Sequence, residues 1–144
     1  MKTNVQIYRV DKTLPLPKHE TNGSFAFDLL ARETTEISPQ EVVLIPGNVI
    51  VKCPKNLALL ILPRSSTYRK TGLIFPHSVG LIDEDYCGEN DEIMIQVLNL
   101  SKETITIERG ERVAQGLFVK TEKIEFKEIE TPHKISRGGF GSTD

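Results

Sequence analysis

Acids, a guanidinium, hydroxyls and glycines gather in a few short stretches of this chain, and each stretch suits chemistry on a charged ligand. The densest is Gly80-Leu81-Ile82-Asp83-Glu84-Asp85-Tyr86-Cys87-Gly88-Glu89, where two apolar residues lead into acids, an aromatic ring and a glycine. On a hairpin tip, carboxylates beside a flat ring can orient and deprotonate a water or hold a cation. An acidic, solvated turn would have the same composition. Pro63-Arg64-Ser65-Ser66 places a fixed cation and two hydroxyls before a possible helix start, which suits phosphate oxygens. The plainer alternative there is a Ser-Ser cap beside a surface arginine. In Arg137-Gly138-Gly139-Phe140-Gly141-Ser142-Thr143 the glycines let backbone approach a ligand while Arg, Ser and Thr donate and Phe stacks. A loose terminus would carry glycines too, but has no packing use for the phenylalanine. Phe27-Asp28-Leu29 holds one acid between apolar neighbours, and Gly110-Glu111-Arg112-Val113-Ala114-Gln115 sets Arg and Gln at the start of an apolar strand. Taken singly, such pieces are more often structural than functional.

These residues must be positioned by a chain of 144 residues, the commonest size for one compact domain with a core of its own. Its 18 basic and 20 acidic residues leave a formal charge of -2, so no positive field draws it to nucleic acid. Cys53 and Cys87 lack metal-site or redox spacing and read as reduced thiols. The first ten residues have no apolar signal core, and no run approaches the roughly 18 apolar residues of a membrane span. A soluble, cytoplasmic protein without membrane or nucleic-acid partners is expected.

Short runs rich in Val, Ile and Leu, broken by Gly, Pro or Asn, predict an all-β fold. Strands are expected over 5–10, 40–44, 48–52, 58–62, 92–98, 103–107, 113–120 and 123–129, about enough for one closed barrel or a jelly roll. Thr104 to Ile107 alternate as a half-buried strand should, whereas Val42 to Ile45 are continuously apolar, which predicts cover on both faces, one of them from a neighbouring subunit. One short helix is expected over 65–71, capped by Ser65 or Ser66. The Gly-rich end, 133–144, has too few apolar residues for a core, so the chain divides into a β-barrel, 1–132, and a flexible arm, 133–144.

In order along the chain, five segments resemble the five motifs of the trimeric dUTPase family: Ser24 to Ala31, Pro63 to Gly72, Gly80 to Glu89, Gly110 to Gln115, and Arg137 to Thr143. The resemblance implies a jelly-roll-like β-barrel, a homotrimer whose active sites draw on all three subunits, Mg²⁺, and cleavage of dUTP to dUMP and pyrophosphate. It assigns Asp83 as general base and sets Tyr86 beneath the deoxyribose. The backbone of the Gly80-Leu81-Ile82 hairpin would read uracil. Arg64, Ser65, Ser66 and Gln115 would hold phosphates, and Asp28 would lie in the metal's outer sphere, through water. Arg137, Phe140, Gly141, Ser142 and Thr143 would reach over from a neighbouring subunit, Phe140 covering the base.

The chain also departs from the family's usual pattern. Ala26 stands where glycine is usual, and His77 where an asparagine helps to read uracil; a neutral imidazole could donate one hydrogen bond there, or His77 could be a loop residue only. The run Glu89-Asn90-Asp91-Glu92 is about three residues longer than the common form, as a wider hairpin or bulge would allow. Asp144 replaces a terminal glycine, and Arg137 sits closer to Gly138-Gly139 than usual. Two other functions share the fold: a dCTP deaminase, alone or bifunctional, and a nucleotide-sensing regulatory protein that orders its arm on a ligand to engage a partner. The acids with Tyr86 and the Gly-Phe-Gly arm favour dUTP hydrolysis.

Overall fold

A computed structural model describes residues 3–139 and 141. In chain order the strands are β1 Gln6–Arg9, β2 Phe27–Leu30, β3 Thr35–Ile37, β4 Val42–Pro46, β5 Val49–Lys52, β6 Leu57–Leu62, β7 Leu73–Ile74, β8 Gly80–Ile82, β9 Met94–Asn99, β10 Ile105–Ile107 and β11 Arg112–Lys120. The helix α1, Thr67–Thr71, falls between β6 and β7. The expectation of an all-β fold with one short helix holds. The strands pair antiparallel throughout, as β1-β5, β10-β3, β4-β9-β7 and β2-β11-β6-β8.

Period-two patterning puts one side of each strand on a shared core. Leu29, Ile37, Ile45, Leu59, Ile93, Ile95 and Ile107 are fully buried there, each such side chain stabilising by about 1.5–3 kcal/mol relative to exposure. Among the described residues no helix is long and apolar enough to cross a membrane. Cys53 and Cys87 are free thiols.

Two expectations need correction, and one bears on a surface the single chain leaves open. Residues 123–129 form no strand: their alternation is strand-like, but among the described residues no strand pairs with them, and Ile124 and Phe126 lie 71% and 90% exposed. Within the single chain Val42 and Leu44 are exposed and Ile45 is fully buried, so β4 has its own chain's cover on one face and leaves the other open, where a neighbouring subunit's cover is expected. The helix starts later than expected. Ser66 is its N-cap residue but makes no side-chain capping bond; instead the Thr67 hydroxyl accepts from the Arg64 amide at 2.8 Å, tying the turn before the helix. Gly72, in the left-handed region at φ 70°, ends it by donating to the Tyr68 carbonyl.

The sheet β2-β11-β6-β8 positions the candidate site. Gln115 on β11 lies opposite both Asp28 on β2 and Leu62 on β6, while Ile82 and Gly80 on β8 lie opposite Leu59 and Ile61. Next to Gln115, Gly116 faces Phe27 so closely that an added Cβ would come within 2.5 Å of the ring.

One buried polar residue ties β9 to its surroundings. The Asn99 side chain is fully buried; its amide donates to the carbonyls of Ile37 (2.9 Å) and Glu103 (2.8 Å), and its oxygen accepts from the Ser101 amide (2.9 Å) and hydroxyl (2.7 Å). Every bond it can make is made. Asn99→Ala should therefore lower stability by roughly 2–4 kcal/mol, because it leaves buried backbone groups unpaired. Urea unfolding at fixed protein concentration checks this, and a loss below about 0.5 kcal/mol would contradict it.

Candidate active site

Two clusters of the expected site residues form along one sheet, with Arg64 and Asp83 toward opposite ends of β6. The first surrounds a cleft of about 420 Å³ lined by Asp28, Arg64, Ser65 and Gln115 together with Glu20, Ser24, Phe25, Ala26 and Arg112. The ladder explains why: Asp28 and Gln115 are register partners, and Arg64 lies two residues beyond Leu62, the last residue of β6 and itself opposite Gln115. Arg64 Nε donates to Asp28 Oδ1 at 2.9 Å, and Arg112 Nη1 lies 3.4 Å from Asp28 Oδ2. One largely buried carboxylate thus orients two guanidinium groups at the cleft. Gln115 Nε2 donates to the Pro63 carbonyl at 3.0 Å, fixing the turn that carries Arg64. Guanidinium groups, an amide and a hydroxyl around a concave surface suit phosphate oxygens. Ser66 does not join Ser65: it lines a neighbouring cavity of about 290 Å³ behind the turn, with Thr67 and Lys70. Arg112 was recognisable in sequence only as the start of an apolar strand. Its approach to Asp28 depends on the register of β11, as does its 3.2 Å ion pair to Glu20.

The second cluster is β8 with the turns before and after it. Ser78, at φ 65°, and a Val79 to His77 amide-to-carbonyl bond of 2.7 Å make a tight turn before β8. The His77 ring stacks on Phe75, centroids 6.1 Å apart and planes within 4°. Gly80 is where this turn meets the sheet: a Cβ there would crowd Ile61 at 3.1 Å and His77 Nε2 at 3.3 Å. β8 is the last strand of its sheet, so among the described residues its outer backbone edge has no strand partner. Such an edge can read the amide edge of a planar base. Leu81 is exposed beside it.

Asp83 follows β8 directly and is exposed, lining a cleft of about 810 Å³ with Glu84, Asp85, Lys52, Lys55 and Lys123. Cys53 also lines this cleft, but burial, the main cause, holds its thiol above the usual cysteine range, so it supplies no thiolate nucleophile. The Tyr86 amide donates to the Asp83 carbonyl at 3.3 Å, closing the acidic turn, and the Tyr86 ring stays partly exposed.

Asp83 and Arg64 do not meet within one chain. Asp83 comes one residue after Ile82, which pairs with Leu59, whereas Arg64 lies beyond the other end of β6. At a strand rise of ~3.3 Å per residue they stand on the order of 15–20 Å apart along the sheet. Arg137 and Gly141 of the terminal segment are exposed, with positive φ at Gly138 and Gly141. Phe140, Ser142 and Thr143 lie outside the described residues.

Solved structures of the same class share this arrangement of strands. The dUTPase from Streptococcus mutans has a TM-score of 0.78 and 36% identity, covering 86% of this chain and all of that one. The Staphylococcus bacteriophage 80alpha dUTPase with dUPNHPP has a TM-score of 0.85 and 25% identity, covering 99% of both chains. The fold is therefore of the dUTPase type. The family model described as dUTPase matches residues 12–144, and the deoxyuridine 5'-triphosphate nucleotidohydrolase of Finegoldia magna is 42% identical over 133 residues, 90% of this chain and 91% of that one. The chain belongs to the dUTPase family.

The Asp28–Arg64 geometry has a direct consequence. Arg64→Lys keeps the charge but loses the fork that Asp28 orients. It should weaken binding of inorganic tripolyphosphate about tenfold in titration calorimetry; unchanged affinity would mean that Arg64 serves the fold and not the anion.

Proposed function

We propose that this protein hydrolyses dUTP to dUMP and pyrophosphate, as a homotrimer in which each active site combines Asp83 and Tyr86 of one subunit with the Arg64 cleft of another. The observation that carries the shared site is the separation of Asp83 from Arg64 along β6. A water held by Asp83 cannot reach a phosphate held by Arg64 of the same chain. Cyclic symmetry, which presents each end of the sheet to a different neighbour, brings them together in every interface at once. Membership of the dUTPase family supports the reaction, as does dUPNHPP, a dUTP analogue, in the phage 80alpha relative. Through hydrolysis the protein would keep uracil out of DNA and supply dUMP for dTMP synthesis, in the cytoplasm.

In this reading the open edge of β8, with Gly80, Leu81 and Ile82, reads uracil, and His77 donates to it from the preceding turn. Tyr86 lies beneath the deoxyribose, where a 2′-hydroxyl would collide with the ring. Arg64, Ser65 and Gln115 hold the phosphate chain, with Ser66 behind them, and Arg112 adds charge. Asp83 takes a proton from water as its oxygen forms a bond to the α-phosphorus; the bond from that phosphorus to the bridging oxygen breaks, and pyrophosphate leaves with the electron pair. Catalysis of this type depends on positioning and charge neutralisation more than on covalent help. Among the described residues no group of three or more His, Cys, Asp or Glu is placed to hold a metal, and Asp28 offers one carboxylate at the phosphate cleft. That donor set fits Mg²⁺ arriving with the triphosphate, since Mg²⁺ keeps several waters and commonly binds through one or two carboxylates plus phosphates. When bound, Mg²⁺ would neutralise phosphate charge, with Asp28 holding one of its waters.

The terminal arm, 133–144, closes the site from a neighbouring subunit, Phe140 covering the base while Arg137, Gly141, Ser142 and Thr143 meet the phosphates. Ordering such a segment costs entropy that a triphosphate's charge-assisted contacts can offset. A chain ending at Ile135 should accordingly lose most of its turnover; full activity would refute the arm's role.

Asp83→Asn should bind dUTP normally and lose turnover by about 10²- to 10⁴-fold. Arg64→Ala should be weak for a different reason. Refolded together in equal amounts, the two inactive proteins should recover about a quarter of wild-type activity, because random assembly pairs an intact Asp83 with an intact Arg64 in that share of shared sites. No recovery would exclude a shared site, and ammonia released from dCTP by the wild type would point to a deaminase instead.

A further inference from the structure

The longer run after Gly88 is not a loose bulge. It is pinned at its far end by Glu92, whose side chain is only 14% exposed. Arg32 grips that carboxylate as a fork, Nε to Oε1 at 2.8 Å and Nη2 to Oε2 at 3.0 Å. The Asn48 amide donates to the same carboxylate at 2.9 Å. The anchor point is itself rigid: Asn48 is buried, and its side chain exchanges hydrogen bonds with the Asp11 backbone, accepting at 2.7 Å and donating at 3.1 Å. The next residue, Ile93, is fully buried and bonded on both sides, donating to Val49 at 2.9 Å and accepting from Gly47 at 2.8 Å. At the near end Gly88 donates to the Asp91 carboxylate at 2.6 Å while the Asp91 amide returns to the Gly88 carbonyl at 3.1 Å.

What this rigid turn holds is Tyr86. The Tyr86 hydroxyl donates to the backbone carbonyl of Glu92 at 3.2 Å. The ring is therefore fixed at its backbone end by the acidic turn and at its hydroxyl by the pinned run, while the residue as a whole stays 38% exposed. A ring tethered only at Cα could swing about χ1 and yield to a bulkier sugar; a ring tethered at both ends cannot.

We propose that Arg32 and Glu92 are positioning residues for sugar discrimination: by pinning residues 89–92 they hold the Tyr86 ring at the tilt that admits a deoxyribose and rejects a ribose. This rests on the reading of Tyr86 given above and goes beyond it, assigning the specificity to a clamp that neither touches the nucleotide nor follows from the motifs. A site that depends on a rigid steric wall loses discrimination when the wall can move, even if binding of the correct ligand changes less.

The test is the ratio of kcat/KM for dUTP over UTP, measured with melting temperature for each intact variant. Glu92→Gln weakens the ion pair while keeping the shape, and Arg32→Gln removes the other half. Both should lower the ratio roughly tenfold, mainly through a gain on UTP. Tyr86→Phe keeps the ring and the clamp but removes the tether. It should lower the ratio to a similar extent without a comparable fall in melting temperature, and adding Glu92→Gln to it should lower the ratio no further. A ratio unchanged in Glu92→Gln and Tyr86→Phe, whatever happens to melting temperature, overturns the proposal and leaves the pair a purely structural contact. Should Glu92→Gln or Arg32→Gln fail to fold, Tyr86→Phe alone decides. Tyr86→Ala separates the two levels of the argument. If it too leaves the ratio intact, the tyrosine does not meet the sugar and the underlying reading fails; if it abolishes discrimination while the other variants do not, only the clamp fails.

Discussion

The pairing of β6 with β11 on one side and β8 on the other constrains everything else in the molecule. A ladder of backbone hydrogen bonds fixes which residues stand side by side, and an antiparallel ladder also fixes which ends diverge. Through it Asp28, Gln115 and the turn bearing Arg64 converge at one end of the sheet, and the strand that leads into Asp83 runs toward the other. The core beneath, built on Leu29, Leu59 and their neighbours, makes a one-residue slip prohibitive, since it would turn every inward side chain to solvent. The separation of acid from guanidinium is thus a property of the fold and not of loop conformation. It gives the proposed trimer a chemical reason to exist beyond the apolar surface it would cover.

Much of the architecture could be read from residue types. The longer strands, β6, β9 and β11, combine β-branched or leucine-rich runs with clear breaks, and they lie where the pattern puts them to within one or two residues. β2, β3, β7 and β8 were not expected as strands, because two to four residues are too few to show a period, and β2 and β8 carry motif residues besides. The segment 123–129 fails in the opposite sense. Its alternation is real, but a strand needs a neighbour, and composition cannot say whether the neighbour belongs to the same chain. The start of α1 shifted for a local reason, since two adjacent serines look like caps although the bond is made by Thr67 instead.

The candidate site was legible where chemistry and chain order coincide and illegible where tertiary contact decides. Asp83, Tyr86, Arg64 and Gln115 sit in dense local motifs. That Ser65 and not Ser66 lines the cleft of Asp28, Arg64 and Gln115 depends on how the turn before the helix is tied. Arg112 enters through strand register. Glu92 finds Arg32 sixty positions away, and neither residue belongs to a motif. The extra residues after Gly88 could be counted in the sequence, yet whether they formed a floppy bulge or a braced turn depended on that one distant guanidinium.

Gly116 has reach beyond its own strand. Because the ring of Phe27 lies where a side chain on residue 116 would have to go, β2 can approach β11 only while that position is bare. Phe27 immediately precedes Asp28, so the seat of the ring sets the height of the carboxylate above the sheet, and with it the aim of the two guanidinium groups that lean on it. Even a single methyl group added at 116 would be felt first as a tilt of charge several ångströms away, in a cleft the methyl never enters. The absence of a side chain at this position is therefore part of how the electrostatics of the cleft are set.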